Sequence, residues 1–155
     1  MDIEQLCETV FNKTRRRAVK ALLDDAAVKR VTFYGLSGSS APMLMAAVAG
    51  TDKPALVIGD SLDDAGYLYH DLSRILGENA VLMLPSGYRR AIKYGQVDPP
   101  SQIMRTEVLN RWMNDQALKY VVTYPEALAE KVASRDSIDK HTMKFSVGET
   151  VDLVE

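Results

Sequence analysis

The chain has 155 residues, 46% of them hydrophobic, and a formal net charge of −2. That length holds one domain, or one domain and the start of another, and the composition is that of a chain that buries a real core. A charge this close to zero supplies no global attraction to nucleic acid or to an anionic membrane.

The longest apolar run, near residues 43–49, is too short to span a bilayer. The N-terminus MDIEQLCETVF lacks the basic segment and apolar stretch of a signal peptide. Cys7 is the only cysteine, so no intrachain disulfide or cysteine-rich metal site forms, and a reducing, cytoplasmic setting is expected.

Residues 2–25 carry Ile3, Leu6, Val10, Val19, Leu22 and Leu23 at helical spacing, with Asn12-Lys13-Thr14 as a break and Thr14 as a cap. Arg15-Arg16-Arg17 reads first as a solvated helix face beside Asp24 and Asp25, and second as a nucleic-acid contact. Val31 to Tyr34 is predicted as the first strand. A helix from Ser40 or Ala41 to Ala49 follows, with Pro42 in its first turn and Gly50 at its end. PALVIG, 54–59, is a continuous apolar strand of the kind covered on both faces of a sheet. Asp60 or Ser61 caps a helix over 62–76, striped by Leu62, Ala65, Leu68, Leu72, Ile75 and Leu76 and ended by Gly77. AVLML, 80–84, is a third strand. Residues 85–100 form the one long irregular stretch. A helix runs from Pro99-Pro100-Ser101 to about Asn114, KYVVT at 119–123 is a fourth strand, and 125–132 is a short helix. Met143 to Val147 reads as a strand, and the ending GETVDLVE as a helix cut short, which points to a piece of a longer protein. Strands alternating with helices imply an α/β fold with a parallel sheet and flanking helices.

The stretch that organises the chain is VTFYGLSGSSAPMLMAAVA, 31–49: strand, glycine turn, small-residue helix. Such a turn cradles phosphate with backbone N–H groups and a helix N-terminus. Measured against G-x-x-x-x-G-K-[ST], the register is Gly35 through Gly38 and Ser39 to Ser40, Ala41 and Pro42. Serine replaces the second glycine, alanine the lysine and proline the magnesium-binding hydroxyl. Both electrostatic parts of a phosphoryl-transfer site are therefore absent, and KYVVT runs into Tyr124-Pro125-Glu126 rather than an acidic pair.

A second frame places Gly35, Gly38 and Ala41 in a dinucleotide-binding turn, with Asp60 on a ribose hydroxyl. The competing role for Asp60 is to cap the helix that follows it. His70 and His141 have no second ligand at useful spacing, so metal binding is not expected. Cys7 and the seven methionines read as core. Tyr88, Arg89, Arg90, Lys93 and Tyr94 form a basic, aromatic loop suited to nucleic acid or a partner protein, or an ordinary surface loop.

In order and spacing, GLSGSSA, KPALVIGDSLDDAGYLYHDLSRILGENAVLMLP, DPPSQIMRTEVLNRW and KYVVTYPEAL resemble the N-terminal part of the bacterial transcription-repair coupling factors (Mfd). That part is similar to the first domain of the excision-repair subunit UvrB. UvrB-like sequences carry GVTGSGKT where this chain has Gly35 to Pro42. They carry a long tyrosine-rich hairpin where only residues 85–98 connect the elements here. Ser86-Gly87-Tyr88 stands in place of the family's usual Trp-Glu pair.

The resemblance implies a RecA-like domain over 1–140 with a degenerate phosphate loop, and the start of the adjoining UvrA-binding domain over 141–155. It implies a non-catalytic scaffold without a cofactor. The longer parent would be an ATP-dependent DNA translocase that binds RNA polymerase and double-stranded DNA through other domains and recruits UvrA mainly through the adjoining one. The other function in view is a dinucleotide-binding enzyme or sensor.

Overall fold

A computed structural model describes residues 5, 9–49, 54–88, 98–115, 117–132, 134 and 148. Helix α1 covers Lys13–Asp24 and α2 covers Ser40–Ala47. Strand β1 is Ala55–Ile58, followed by α3, Leu62–Leu76, and a 3₁₀ turn at Glu78–Ala80. Strand β2 is Val81–Met83, α4 is Pro99–Asn114, β3 is Tyr120–Thr123 and α5 is Pro125–Leu128.

The three strands form one parallel sheet in the order β1-β3-β2. The last described strand is thus the centre of the sheet. Ala55 to Ile58 pair with Tyr120 to Thr123, and Val81 to Met83 pair with Tyr120 to Val122 from the other side. All four β3 residues are buried. Their side chains alternate between the faces, as a pleated strand dictates. Tyr120 and Val122 join Val57, Ala65, Leu72, Val81, Tyr124 and Ala127 in one core. Val121 joins Leu84, Val108 and Leu118 in a second, with Trp112 and Leu82 packed on it. Thr123, fully buried, satisfies its hydroxyl by donating to the Leu84 carbonyl at 3.0 Å.

Helix α3 is specified locally at both ends. Ser61 is its N-cap and accepts from the Asp64 N–H at 3.1 Å, while Asp64 accepts from the Asp60 N–H at 2.9 Å. Gly77, at φ 91°, is the C-cap. Gly59 sets the turn from β1, because a Cβ there would lie 2.6 Å from the Ala65 nitrogen and 2.9 Å from its Cα. Ala65 and Leu72, one face of the helix two turns apart, are fully buried.

Three sequence expectations are corrected. Val31 to Tyr34 is no strand: the described residues form a sheet of three strands, not four, and Tyr34 is 89% exposed. Phe33 lines a surface groove together with Leu36 and Ile58. Second, β1 is not covered on both faces. Val57 is buried, but Leu56 and Ile58 on the opposite face are 40% and 54% exposed among the described residues. Third, Asn12 rather than Thr14 caps α1, its side chain accepting from the Arg15 N–H at 3.0 Å, since the helix begins at Lys13. The expected end at Gly50, the strand over 143–147 and the helix from Thr150 lie outside the described residues.

No described helix is long and apolar enough to cross a membrane.

Candidate functional site

The glycine turn keeps its backbone shape without the strand expected before it. Gly35 and Gly38 take φ values of 76° and 54°, the left-handed region in which a side chain is strained. Ser39 is the N-cap position of α2 but makes no side-chain cap bond. Ser40 closes the turn on itself: its Oγ accepts from the Ser37 N–H at 2.7 Å, and its own N–H donates to the Ser37 carbonyl at 3.2 Å. Pro42, buried in the first turn, has no N–H to offer. Two of the amides that a phosphate would draw on are therefore spent inside the loop, and a third does not exist. Ala41, at the position of the lysine, lines the apolar groove beside Leu44, Met45 and Ile58. This turn can hold its own shape, but it brings no cation to a phosphate.

Asp60 lies exposed after β1, and Ser61, not Asp60, caps α3. The capping role weighed for Asp60 therefore belongs to its neighbour, with Asp64 completing the box. His70 is exposed on α3, and among the described residues no three His, Cys, Asp or Glu side chains gather as metal ligands do. His141 and Cys7 lie outside the described residues, as do Arg89, Arg90, Lys93 and Tyr94. Tyr88, the described member of that predicted loop, is exposed.

A polar cluster that the sequence reading missed sits at the carboxyl ends of β2 and β3, the edge where parallel sheets place their ligands. Its hub is Arg105 of α4, only 4% exposed. Arg105 Nη1 donates to the Pro85 carbonyl at 2.6 Å and the Ala127 carbonyl at 3.2 Å, and lies 3.4 Å from Glu130 Oε2. Glu130 also accepts from the Ser86 hydroxyl, and from the Gly87 N–H at 2.8 Å. The Ser86 N–H donates to the Tyr124 hydroxyl at 2.9 Å. The Gly87 carbonyl accepts from the Asp98 N–H at 2.9 Å, tying together the two ends of the segment between them. Arg105 Nη2 is buried without a hydrogen-bond partner.

A Cβ on Gly87 would come within 2.1 Å of the Gln102 side-chain nitrogen, so a larger residue there requires that side chain to move. The arrangement is a brace: one cation neutralised by one carboxylate, both used to fix backbone. The faint signal in sequence was an arginine at helical spacing from Val108 and Trp112, on the face of α4 that is buried.

Two grooves flank α2. One, about 540 Å³, has apolar walls from Leu23, Phe33, Leu36, Leu44, Leu56 and Ile58. The other, about 310 Å³, is lined by Lys13, Arg16, Arg17 and Lys20 of α1 and by residues 47–49. Between the grooves and the sheet, Tyr120 donates its hydroxyl to the Met45 carbonyl at 2.6 Å. Burial pushes that phenol up to about 12 from its usual 10.

Comparison with family models, with curated proteins and with solved structures finds no match.

Proposed function

We propose that this chain is a non-catalytic scaffold domain of the kind that opens the transcription-repair coupling factors. It would be the first part of a UvrB-like module that recruits UvrA to stalled RNA polymerase in nucleotide excision repair. The finer fold reading belongs with it: a RecA-like domain whose phosphate loop has been retired. The observation that supports this most directly is the self-closed turn, in which Ser40 occupies the Ser37 amide and Pro42 removes another. A loop that binds triphosphate leaves its amides open and adds a lysine. The parallel α/β sheet and the resemblance set the context.

Calorimetric titration with ATP and with NAD(P) separates this reading from a nucleotide-using enzyme or sensor: the scaffold gives no saturable heat with either, and tight binding of either overturns it. Restoring the loop as Ser40→Gly, Ala41→Lys and Pro42→Thr yields no hydrolysis above a no-enzyme blank, because β3 ends in Tyr124-Pro125-Glu126 with no acid placed for magnesium and water. Interferometry against UvrA gives weak binding by residues 1–155 and stronger binding by the complete module. Equal affinity of the two would move the contact face into this domain.

A further inference from the structure

We infer that the groove between α1 and the C-terminal end of α2 is a binding site for the phosphate backbone of duplex nucleic acid. It is read without regard to sequence and independently of the scaffold reading. The groove places Lys13, Arg16, Arg17 and Lys20 along one wall, at i, i+3, i+4 and i+7 of one helix face. Seven residues of helix span about 10 Å, so cations recur every turn of about 5.4 Å, close to the spacing of successive phosphates on a strand.

Among the described residues, no acidic side chain lines the groove. Among the described residues, none of the four cations is in an ion pair. Arg16 is oriented by a hydrogen bond from its Nε to the Ala47 carbonyl at 3.1 Å. The opposite wall is Ala47, Val48 and Ala49, small enough to admit a sugar-phosphate chain and free of the aromatic rings that would stack unpaired bases. Four uncompensated cations on a protein whose net charge is −2 are a local concentration rather than a general property of the surface. Groove shape, charge and the lack of stacking groups together favour a duplex backbone.

Fluorescence anisotropy of a labelled mixed-sequence duplex of about two turns tests this with the intact chain. Binding is expected at low salt, with log K falling against log salt at a slope of about −3 to −4, one phosphate per cation. Arg17→Glu/Lys20→Glu weakens binding at least tenfold and reduces the slope by about 2. Arg17→Gln/Lys20→Gln falls between, and serves alone should the reversed pair fail to give the wild-type circular dichroism spectrum. Arg74→Glu/Lys131→Glu, the same change of net charge at exposed positions outside the groove, leaves affinity within twofold. Absence of wild-type binding at about 20 mM salt overturns the inference. So does equal loss in both charge-reversed proteins. A glutamate peptide of matched charge competing as well as the duplex would overturn it too, by assigning the groove to an acidic protein partner.

Discussion

Replacing Arg105 by methionine keeps most of the side-chain volume and removes the charge. Three groups then lose their donor or counter-charge: the Pro85 carbonyl, the Ala127 carbonyl and Glu130. An unsatisfied buried polar group costs about 1–3 kcal/mol, and breaking a buried ion pair by removing one partner costs about 3–5 kcal/mol. Glu130 keeps the Ser86 hydroxyl and the Gly87 N–H, which soften its loss. The unpartnered Nη2 disappears with the guanidinium, recovering part of a desolvation cost.

The expected net for Arg105→Met is therefore about 3 kcal/mol. Glu130→Gln leaves a buried cation with two carbonyls and one lost acceptor, and is expected to cost about 2–4 kcal/mol. The double variant should cost less than the sum by about 1–3 kcal/mol, because each single change strands the other partner. Urea unfolding followed by Trp112 fluorescence reads all three, since the single tryptophan packs on the second core beside α4 and β3. A cost below about 1 kcal/mol for Arg105→Met, or strict additivity, would refute the brace.

Tyr120 predicts an alkaline limb. Its folded pKa is raised, so the folded state holds the proton more tightly and the stabilisation is intact below pH 10 and lost as pH rises toward about 12. A shift of this size corresponds to about 3 kcal/mol at most, and Tyr120→Phe, about 1 kcal/mol less stable at neutral pH for its lost bond to Met45, should show a shallower fall between pH 10 and 12. Parallel stability-against-pH curves for the two proteins would exclude that cause. Gly59→Val should destabilise by more than about 3 kcal/mol, because the added atoms meet α3 backbone rather than a movable side chain. A melting temperature within a degree or two of wild type would show that the β1–α3 turn yields.

What could be read from sequence was what is decided locally. The limits of α3 followed from Ser61, the leucine stripe and Gly77, all interactions within a few residues of one another. Strand β3 was legible because Val121, Val122 and Thr123 are β-branched and flanked by chain-turning residues. Val31 to Tyr34 was misread because strand formation needs a partner, and no local pattern records whether one lines up. PALVIG was likewise taken as an interior strand; its composition is apolar, but its place at one side of the sheet depends on β3, more than sixty positions later. The brace escaped notice because Pro85, Arg105, Ala127 and Glu130 are scattered over 46 residues of chain and meet only once the sheet exists. The departures of Ser40, Ala41 and Pro42 from a phosphate-binding motif are legible because they lie in the residue types themselves.

The strand order has a consequence in time. Among the described strands β1 and β2 do not pair with each other; each pairs with β3. During synthesis the ribosome adds about 65 residues between Ile58 and Thr123, which at about 5–20 residues per second is about 3–13 s. Until β3 has been made, β1 and then β2 have no described strand with which to form a ladder. Helix α3 can form meanwhile from its own caps and cover part of both. The nascent chain therefore waits on its final strand, and a pause or premature stop before Tyr120 yields not a smaller sheet but none.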